Sequence, residues 1–481
     1  VKTLEIPKSN FSEWYNAVIK EAELCDIRYD LKGFVVFRPW SVMSMNKMFE
    51  MYEKELQARG HLPALFPALI PASYLMKESE HVEGFVPEVF WVTAAGNNQL
   101  EEKCAMRPTS ETAMYSMFAL WIHGLKDLPL KIYQRCQVWR YETKATKPFI
   151  RSREFYWIEA HDAFATKEEA ERQVREDMEM AEKVLHQQFC VPFLFFKRPQ
   201  WDKFAGAVDT FGADTLMPDR RALQLPSTHL LGQNFAKAFG IKYMDENEKE
   251  QYVWQTCYGP AISRIYAAVI AVHGDEKGLV LPFDIAPVQV VIIPIVKKGA
   301  EEKVMKKCEE LEKLLSKKYS VKLDDSDNTP GYKYNYWELK GVPIRLEIGM
   351  RDIESNSITI FRRDTREKSS VPLDKLEDKI EELREDIRRN LKERADGWFN
   401  SQTTRADSIE ELGNKLEEYG FVRVPFCTDG LDGKPCAEII KERTHANMRG
   451  SLYGEKEKPK GKKCIACGKP ATVYLYAARQ Y

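Results

Sequence analysis

The chain has 481 residues, a formal net charge of −1 and 44% apolar residues. That length argues for about three domains, and the near-balanced charge excludes a global attraction to nucleic acid. Any such affinity has to come from local basic patches such as Arg362–Lys368, the Lys297–Lys298 pair or the 456–463 run. The ten cysteines are scattered and do not frame a disulfide scaffold, the first residues hold no signal-like apolar run, and the longest apolar stretch, 288–296, is far too short to span a bilayer. The expectation is a cytoplasmic chain with no membrane partner.

Residues 10–25 and 42–58 have helical spacing of apolar side chains, with Met43, Met48, Met51 and Leu56 marking the second. A proline-punctuated, strand-like run covers 62–71. Arg107-Pro-Thr leads into a helix over 110–124, and two strands joined by a polar loop follow within 131–161. Thr166 before Lys167-Glu168-Glu169 reads as a capping box opening a helix to about Phe189. After loop-and-strand material over 201–235 come a strand, a Gly-Pro turn and an apolar helix within 252–273. From 284 strands alternate with helices (301–318 and 330–340 helical; 320–323, 343–348 and 357–361 extended), which argues for a separate α/β domain. A charged helix over 374–396 connects it to a third unit. The expected divisions are 1–283, 284–395 and 396–481.

Chemistry concentrates in the 131–161 hairpin. Side chains in a strand alternate faces, so Arg140 and Glu142 share a face of the first strand, and Arg151, Arg153, Phe155, Trp157, Glu159 and His161 share one of the second. Such a set does not build an apolar core, and a merely solvated face would leave Phe155 and Trp157 uncovered among charges. It suits a nucleotide and a small zwitterion: guanidinium for phosphate, an aromatic ring to stack on a base, a carboxylate to accept an exocyclic amine.

Arg140-Tyr141-Glu142, the loop, then Arg151 and Phe155 resemble motif 2 of the class II aminoacyl-tRNA synthetases. Arg107-Pro-Thr-Ser-Glu-Thr112, Trp157-x-Glu159-x-His161 and Leu231-Gly-Gln-Asn-Phe235 narrow the resemblance to the prolyl-tRNA synthetase family, in its archaeal and eukaryotic form, which ends in Tyr as this chain does at Tyr481. The resemblance implies a mixed α/β and α+β multidomain fold. Its parts are an antiparallel-sheet catalytic domain, an α/β anticodon-binding domain and a small C-terminal α/β domain of zinc-binding type. It implies ATP- and Mg2+-dependent activation of L-proline to prolyl-adenylate and transfer to tRNA(Pro). It also implies a homodimer, because the helix and strand ending at Pro67 resemble motif 1. About a hundred residues separate Phe155 from Gly259, which leaves no room for the large editing insert of the bacterial form.

By the same resemblance Arg140 and Arg264 are the catalytic residues. Arg140 meets the α-phosphate, Arg151 and Arg264 the outer phosphates, Phe155 the adenine and Glu142 its amine, with Gln224, Ser227 and Thr256 completing the ATP site. Thr109 and Glu111 take the imino group of proline; Arg140, Trp157, Glu159, Phe204, His161, His229 and Cys257 complete that pocket. Two local departures stand out: four residues lie between Gly259 and Arg264 instead of three, and Ser227-Thr-His229 replaces the usual Thr-x-His. Glu338, Arg345, Arg351, Asp352 and Lys368 match anticodon-reading positions. Another class II enzyme of the subgroup, threonyl or glycyl, or a non-catalytic tRNA-binding paralogue, are the alternatives.

Cys464-x2-Cys467 is on its own spacing half of a structural zinc site. Its expected partners are Cys427 and Cys436, with eight residues between them where two to four are usual, and His445 is the rival ligand.

Overall fold

A computed structural model of the chain describes residues 4, 6–77, 89–296 and 299–481; the Lys297–Lys298 pair lies outside them. An eleven-stranded sheet forms the spine. At its centre Asp209–Leu216, Ala222–Gly232, Trp254–Tyr258, Glu154–Phe164 and Leu130–Trp139 lie side by side, each antiparallel to the next, and the short strand Leu62–Pro63 closes one end. At the other end Leu194–Lys197 pairs with Asn447–Leu452, and Val473–Ala478, Phe421–Phe426 and Thr403–Arg405 continue the sheet. The C-terminal strands therefore satisfy what would otherwise be an open edge. The joint needs Gly450: at φ 122° its backbone passes so close to Lys197 that a Cβ would stand 2.0 Å from the carbonyl oxygen.

The helices Phe11–Glu21, Pro39–Ala58 and Ile262–His273 cover one face of the sheet in a shared core. In Pro39–Ala58 the buried phase is Met45, Met48, Phe49, Tyr52 and Leu56, while Met43 is 46% exposed, because the helix starts at the proline and turns that residue outward. Lys167–Ala181 opens with the reciprocal Thr166–Glu169 cap, but α-geometry stops at Ala181. Glu182–Gln188 is π-helical and not the expected last α-turns; Val184 and Leu185 stay buried, and His186 bridges Glu182 and Asp396 at 2.8 and 2.6 Å.

A second, five-stranded sheet has Val290–Ile295 parallel to Val321–Leu323 and Ile344–Gly349, then Ser357–Arg362 and Lys368–Pro372 antiparallel. The last strand escapes sequence reading because it is a polar, mostly exposed edge, Lys-Ser-Ser-Val-Pro. Its own apolar core includes Leu376, Ile380, Leu383, Ile387 and Leu391 of the helix Leu376–Asn400. The basic run 362–368 is not a free patch. Arg363 is buried and grips Asp275 through both terminal nitrogens at 2.7 and 2.6 Å, Arg366 joins the same carboxylate at 2.8 Å, and Arg362 pairs with Asp364. These cations clamp the small sheet to the end of Ile262–His273. Among the described residues no helix is long and apolar enough to cross a membrane.

Candidate functional site

Two cavities of about 210 and 220 Å³ open on the sheet and share Arg140, Phe155, Ala261 and Arg264. Thr109, Glu111, Trp157, Glu159, His161, Phe204, Gln224, Ser227, His229 and Cys257 line the first; Glu142 and Arg151 line the second. Residues separated by up to 155 positions thus converge as the hairpin reading expects. Two expectations need correction. Thr256 alternates with Cys257 and so points to the opposite face, where its hydroxyl donates to Asp162 at 3.2 Å. Arg153 lies just before the strand begins at Glu154; its guanidinium turns to the Glu142 and Lys32 carbonyls and over Tyr141.

The first cavity is built around buried carboxylates at the start of the helix Glu111–Trp121. The Thr109 hydroxyl donates to Glu111 at 2.5 Å. Glu159 accepts from the Ser110 amide at 3.1 Å, the Ser110 hydroxyl at 2.5 Å and Gln134 at 2.8 Å, and meets His161 Nε2 at 3.0 Å. Burial opposes the charge on Glu159, but His161, Ser110 and Gln134 outweigh it and hold the pKa below its ordinary value. Glu159 is therefore an anchor for the 107–112 turn more than a wall. Ser110, Gln134 and Tyr115, whose hydroxyl meets His161 Nδ1 at 3.0 Å, were not singled out from sequence. Tyr115 was findable, one helical turn after Glu111.

His229 lies tilted against Phe204 with centroids 4.6 Å apart, and its two nitrogens meet Thr210 and Ser227 at 2.9 and 3.0 Å. Burial first, then the nearby His161, Arg198 and Arg140 charges, push its pKa down to about 3, so the ring is neutral at physiological pH. A polar apolar-walled pocket with buried anions at one end suits a small cationic amine on a compact ring.

The second cavity gathers positive charge. Arg140 donates from Nε to the Pro108 carbonyl at 2.9 Å, with its guanidinium 5.3 Å from the Phe155 ring and 5.6 Å from Trp157. Arg151 pairs with Glu142 at 2.8 Å. Arg264, in the first turn of Ile262–His273, donates to the Ile150 and Gln224 carbonyls at 3.2 and 3.3 Å. Burial, then Arg140 and Arg151, lower its pKa to about 10, still far above neutrality. Clustered guanidiniums held by backbone carbonyls are preorganised for phosphate oxygens.

Sequence reading missed the pocket's support at Arg198. This buried side chain forms a two-pronged pair with Asp214 at 2.9 and 2.6 Å and donates to Gln224 at 3.1 Å. Arg449, from the C-terminal strand Asn447–Leu452, grips the same carboxylate at 2.7 and 3.0 Å. A second unforeseen feature is a groove of about 1130 Å³ beside the phosphate end, lined by Lys20, Arg28, Arg38, Lys144, Lys147, Arg151, Arg221 and Lys441, with Asp26 as its one carboxylate. Tyr481 also lines it. Its cations come from 20–38, 144–151, Arg221 and Lys441, and only the fold brings them together.

The sulfurs of Cys427, Cys436, Cys464 and Cys467 all lie within 4.8 Å of one another, with Cys427 and Cys436 3.7 Å apart. Tetrahedral zinc with bonds of about 2.3 Å sets sulfurs about 3.8 Å apart, which this set fits. The long 428–435 spacing is spanned by a 3-10 turn, Leu431–Gly433, that feeds Cys436 into the first turn of the helix Lys434–Thr444. His445 ends that helix in left-handed conformation, exposed and outside the cluster. Ligand atoms of Glu111, His161 and Cys257 also approach within 4.8 Å, but both His161 nitrogens are already engaged.

On the small sheet, Arg345 is sandwiched between the Tyr334 and Phe361 rings at 4.0 and 3.9 Å and pairs with Glu338 and Glu347 at 2.9 Å each. Lys368 reaches Glu347 at 2.8 Å. Of the five expected anticodon positions, Glu338, Arg345 and Lys368 are therefore drawn together. Asp352 instead caps its own short helix, accepting from the Gly349 amide at 2.9 Å and Thr359 at 3.2 Å, while Arg351 is exposed.

The chain matches the tRNA synthetase class II core domain (G, H, P, S and T) over residues 90–273, an anticodon binding domain over 289–383 and the prolyl-tRNA synthetase C-terminal domain over 409–481. The proline–tRNA ligase of Thermofilum pendens is 51% identical over 476 residues, covering 98% of each chain. That of Methanocaldococcus jannaschii is 45% identical over 463 residues, 95% of this chain and 99% of its own. The solved Giardia lamblia prolyl-tRNA synthetase in complex with prolyl-adenylate superposes with a TM-score of 0.95 at 38% identity, covering 100% of both chains.

Proposed function

The chain belongs to the prolyl-tRNA synthetase family in its archaeal and eukaryotic form, proline–tRNA ligases, and we propose that it makes prolyl-adenylate in the two joined cavities. The observation that carries this reading is their shared wall. Proline lies with its imino group at Glu111 and Thr109 and its ring against Trp157, Phe204 and His229, while ATP enters with Mg2+ at the guanidinium end. Arg140, at the junction, then touches both the proline carboxylate and the α-phosphate that it attacks. Activation needs no covalent enzyme intermediate, only alignment and charge neutralisation. Arg151 and Arg264 hold the outer phosphates, Phe155 and the Arg264 side carry the adenine, Glu142 accepts its amine, and Gln224 and Ser227 line the ribose end. The test is amino-acid-dependent ATP–pyrophosphate exchange: proline supports it, and threonine and glycine do not. Equal exchange with threonine would reassign the pocket within the subgroup; no exchange with any amino acid would favour a tRNA-binding paralogue.

We further assign tRNA(Pro) two contacts. The basic groove beside the phosphate end receives the acceptor arm, whose terminal ribose has to reach the adenylate. The Glu338–Arg345–Lys368 cluster meets the anticodon, with Arg345 holding the orientation of Glu338, Glu347 and Lys368 and stacking rings on either side. Base edges in an unstacked loop are read by such fixed donors and acceptors. Arg345→Ala is expected to lower aminoacylation of tRNA by roughly 10–100-fold, the loss of one to two bidentate contacts, and to leave pyrophosphate exchange at the wild-type rate. Equal losses in the two assays would remove the cluster from tRNA reading.

Zinc bound by Cys427, Cys436, Cys464 and Cys467 is the metal reading the sulfur cluster supports; the set is closed, so its part is structural. Elemental analysis should give one zinc per chain in the wild type and in His445→Ala and none in Cys464→Ser, with exchange activity retained at permissive temperature. A folded, zinc-free wild type refutes it. For dimerisation, the support is an exposed apolar patch where the sheet ends: Leu62, Leu65 and Leu69 are 66%, 84% and 44% exposed beside Leu120 and Trp121 at 64% and 44%. The divisions 1–283, 284–395 and 396–481 follow in our reading the family's three parts, although the apolar cores cross them: Phe196 and Leu216 pack with Phe399 and Phe421, and Val280 and Phe283 with the small sheet. The part played in protein synthesis is the ground for a cytoplasmic location.

A further inference from the structure

We propose that a buried polar cluster on the reverse face of the sheet, Asp162, Asp177 and His61 with Thr228 and Thr256, positions the amino-acid pocket from behind; this rests on reading that pocket as the proline site. In three adjacent strands a pocket residue alternates with a cluster residue: His161 with Asp162, Cys257 with Thr256, and Ser227 and His229 with Thr228. Register locks the two layers together. Cys257 pairs with both His161 and His229, and Thr256 pairs with Asp162. The sets therefore stand back to back across one sheet.

The cluster is sealed: Asp162, Asp177, Thr228 and Thr256 are 0% exposed and His61 1%. Thr228 donates its hydroxyl to Asp177 at 2.6 Å, and Gln173 donates to the other oxygen at 2.8 Å. This bolts the strand that carries Ser227 and His229 to the helix Lys167–Ala181. Thr256 donates to Asp162 at 3.2 Å, and His61 Nε2 lies 3.1 and 3.3 Å from the two Asp162 oxygens. His61 Nδ1 faces the Leu56 carbonyl at 3.2 Å. A carbonyl can only accept, so Nδ1 carries a proton, and one more proton lies between Nε2 and Asp162. Apolar residues would fill this space at lower desolvation cost. Directional bonds add what apolar packing lacks, a fixed height and rotation for each strand.

The cluster holds two carboxylates and one imidazole. Burial first, and the Asp162 charge second, push the Asp177 pKa up to about 7, while His61 is held above its ordinary value by Asp162 against its own burial. The other titratable groups that act on these two are Lys131, towards His61, and Cys257 and Tyr258, towards Asp177. Both Asp177 oxygens accept, from Thr228 and Gln173, and these bonds favour the carboxylate against burial and the Asp162 charge; protonation costs one of them and loosens the bolt through Thr228. The proline KM therefore rises as pH falls through 7, while the ATP KM, set chiefly by the guanidinium end, changes less.

The experiment measures proline and ATP KM and kcat by pyrophosphate exchange from pH 6 to 8.5 in the wild type, Asp177→Asn, Asp162→Asn and Thr256→Val. Asp177→Asn should flatten the proline KM profile. Thr256→Val and Asp162→Asn should raise the proline KM by roughly fivefold or more, about the worth of one buried hydrogen bond, with the ATP KM within about twofold. Should Asp162→Asn fail to fold, the other two variants decide. An unaltered proline KM and pH profile in the folded variants, or a parallel loss in both substrates, overturns the inference. Absence of proline-dependent exchange in the wild type would instead overturn the reading of the pocket itself.

Discussion

Arg140→Ala should lower proline-dependent pyrophosphate exchange by about 10²–10³-fold, the usual effect of removing one preorganised electrostatic contact to developing charge. The side chain stands in both cavities, so no neighbour can take its place: Arg151 is paired with Glu142, and Arg264 is fixed by two carbonyls further along. Its aim is set before substrate arrives, by the Pro108 carbonyl at Nε and by the Phe155 and Trp157 rings. Lysine keeps the charge but not the fork, so Arg140→Lys should recover only part of the loss. Because Arg140 lies beyond the end of its strand and only half-covers the Phe155 and Trp157 rings at the cavity, the melting temperature of the alanine variant should stay near that of the wild type. Exchange close to the wild-type rate in a folded Arg140→Ala protein would detach this arginine from the chemistry.

The hairpin was legible because strand alternation is a local rule: once the second strand is recognised, Phe155, Trp157, Glu159 and His161 fall on one face without tertiary information, and Arg140 and Arg151 join them from just outside the strand ends. The same rule, applied to Trp254–Tyr258, would have turned Thr256 away from the pocket its neighbour Cys257 faces. Arg153 failed for a different reason, since alternation holds only where the strand has begun. What sequence could not show is how charges are spent. The run 362–368 looks like a nucleic-acid patch until Asp275, more than 85 residues earlier, is seen to absorb Arg363 and Arg366. The basic groove is the converse: Lys144, Lys147 and Arg151 are close in sequence, but Lys20, Arg28, Arg38, Arg221 and Lys441 join them only in the fold. The cysteine half-site was readable from spacing, whereas the distant half became intelligible only through the turn and helix that bring Cys436 back to Cys427.

Asp214→Asn should be the most destabilising single change in the molecule away from its apolar cores. The carboxylate is fully buried and accepts four hydrogen bonds from Arg198 and Arg449. An amide can accept at one end only, and its NH2 group would face guanidinium hydrogens at the other. Two buried cations would then lack a counter-charge, a loss of about 3–5 kcal/mol by analogy with broken buried pairs. Arg449 belongs to the strand that joins the C-terminal part to the main sheet, so the joint itself should loosen, and limited proteolysis should cut between that part and the rest well before the wild type is cut. Arg198 also orients Gln224, and both line the first cavity, so the KM values for proline and for ATP should both rise. The pH dependence gives a separate check. Burial alone would raise the Asp214 pKa, but Arg198 and Arg449 outweigh it and lower it to about 2, below its unfolded value of about 3.9. A group depressed in the folded state binds fewer protons there than when unfolded, so its contribution is complete above the unfolded pKa and is lost as pH falls towards 2. The stability gap between wild type and Asp214→Asn should therefore be constant above about pH 5 and narrow below pH 4, as followed by thermal melting across that range. A gap that stays constant into acid, or a variant as stable and as protease-resistant as the wild type, would mean that the two arginines do not depend on this carboxylate.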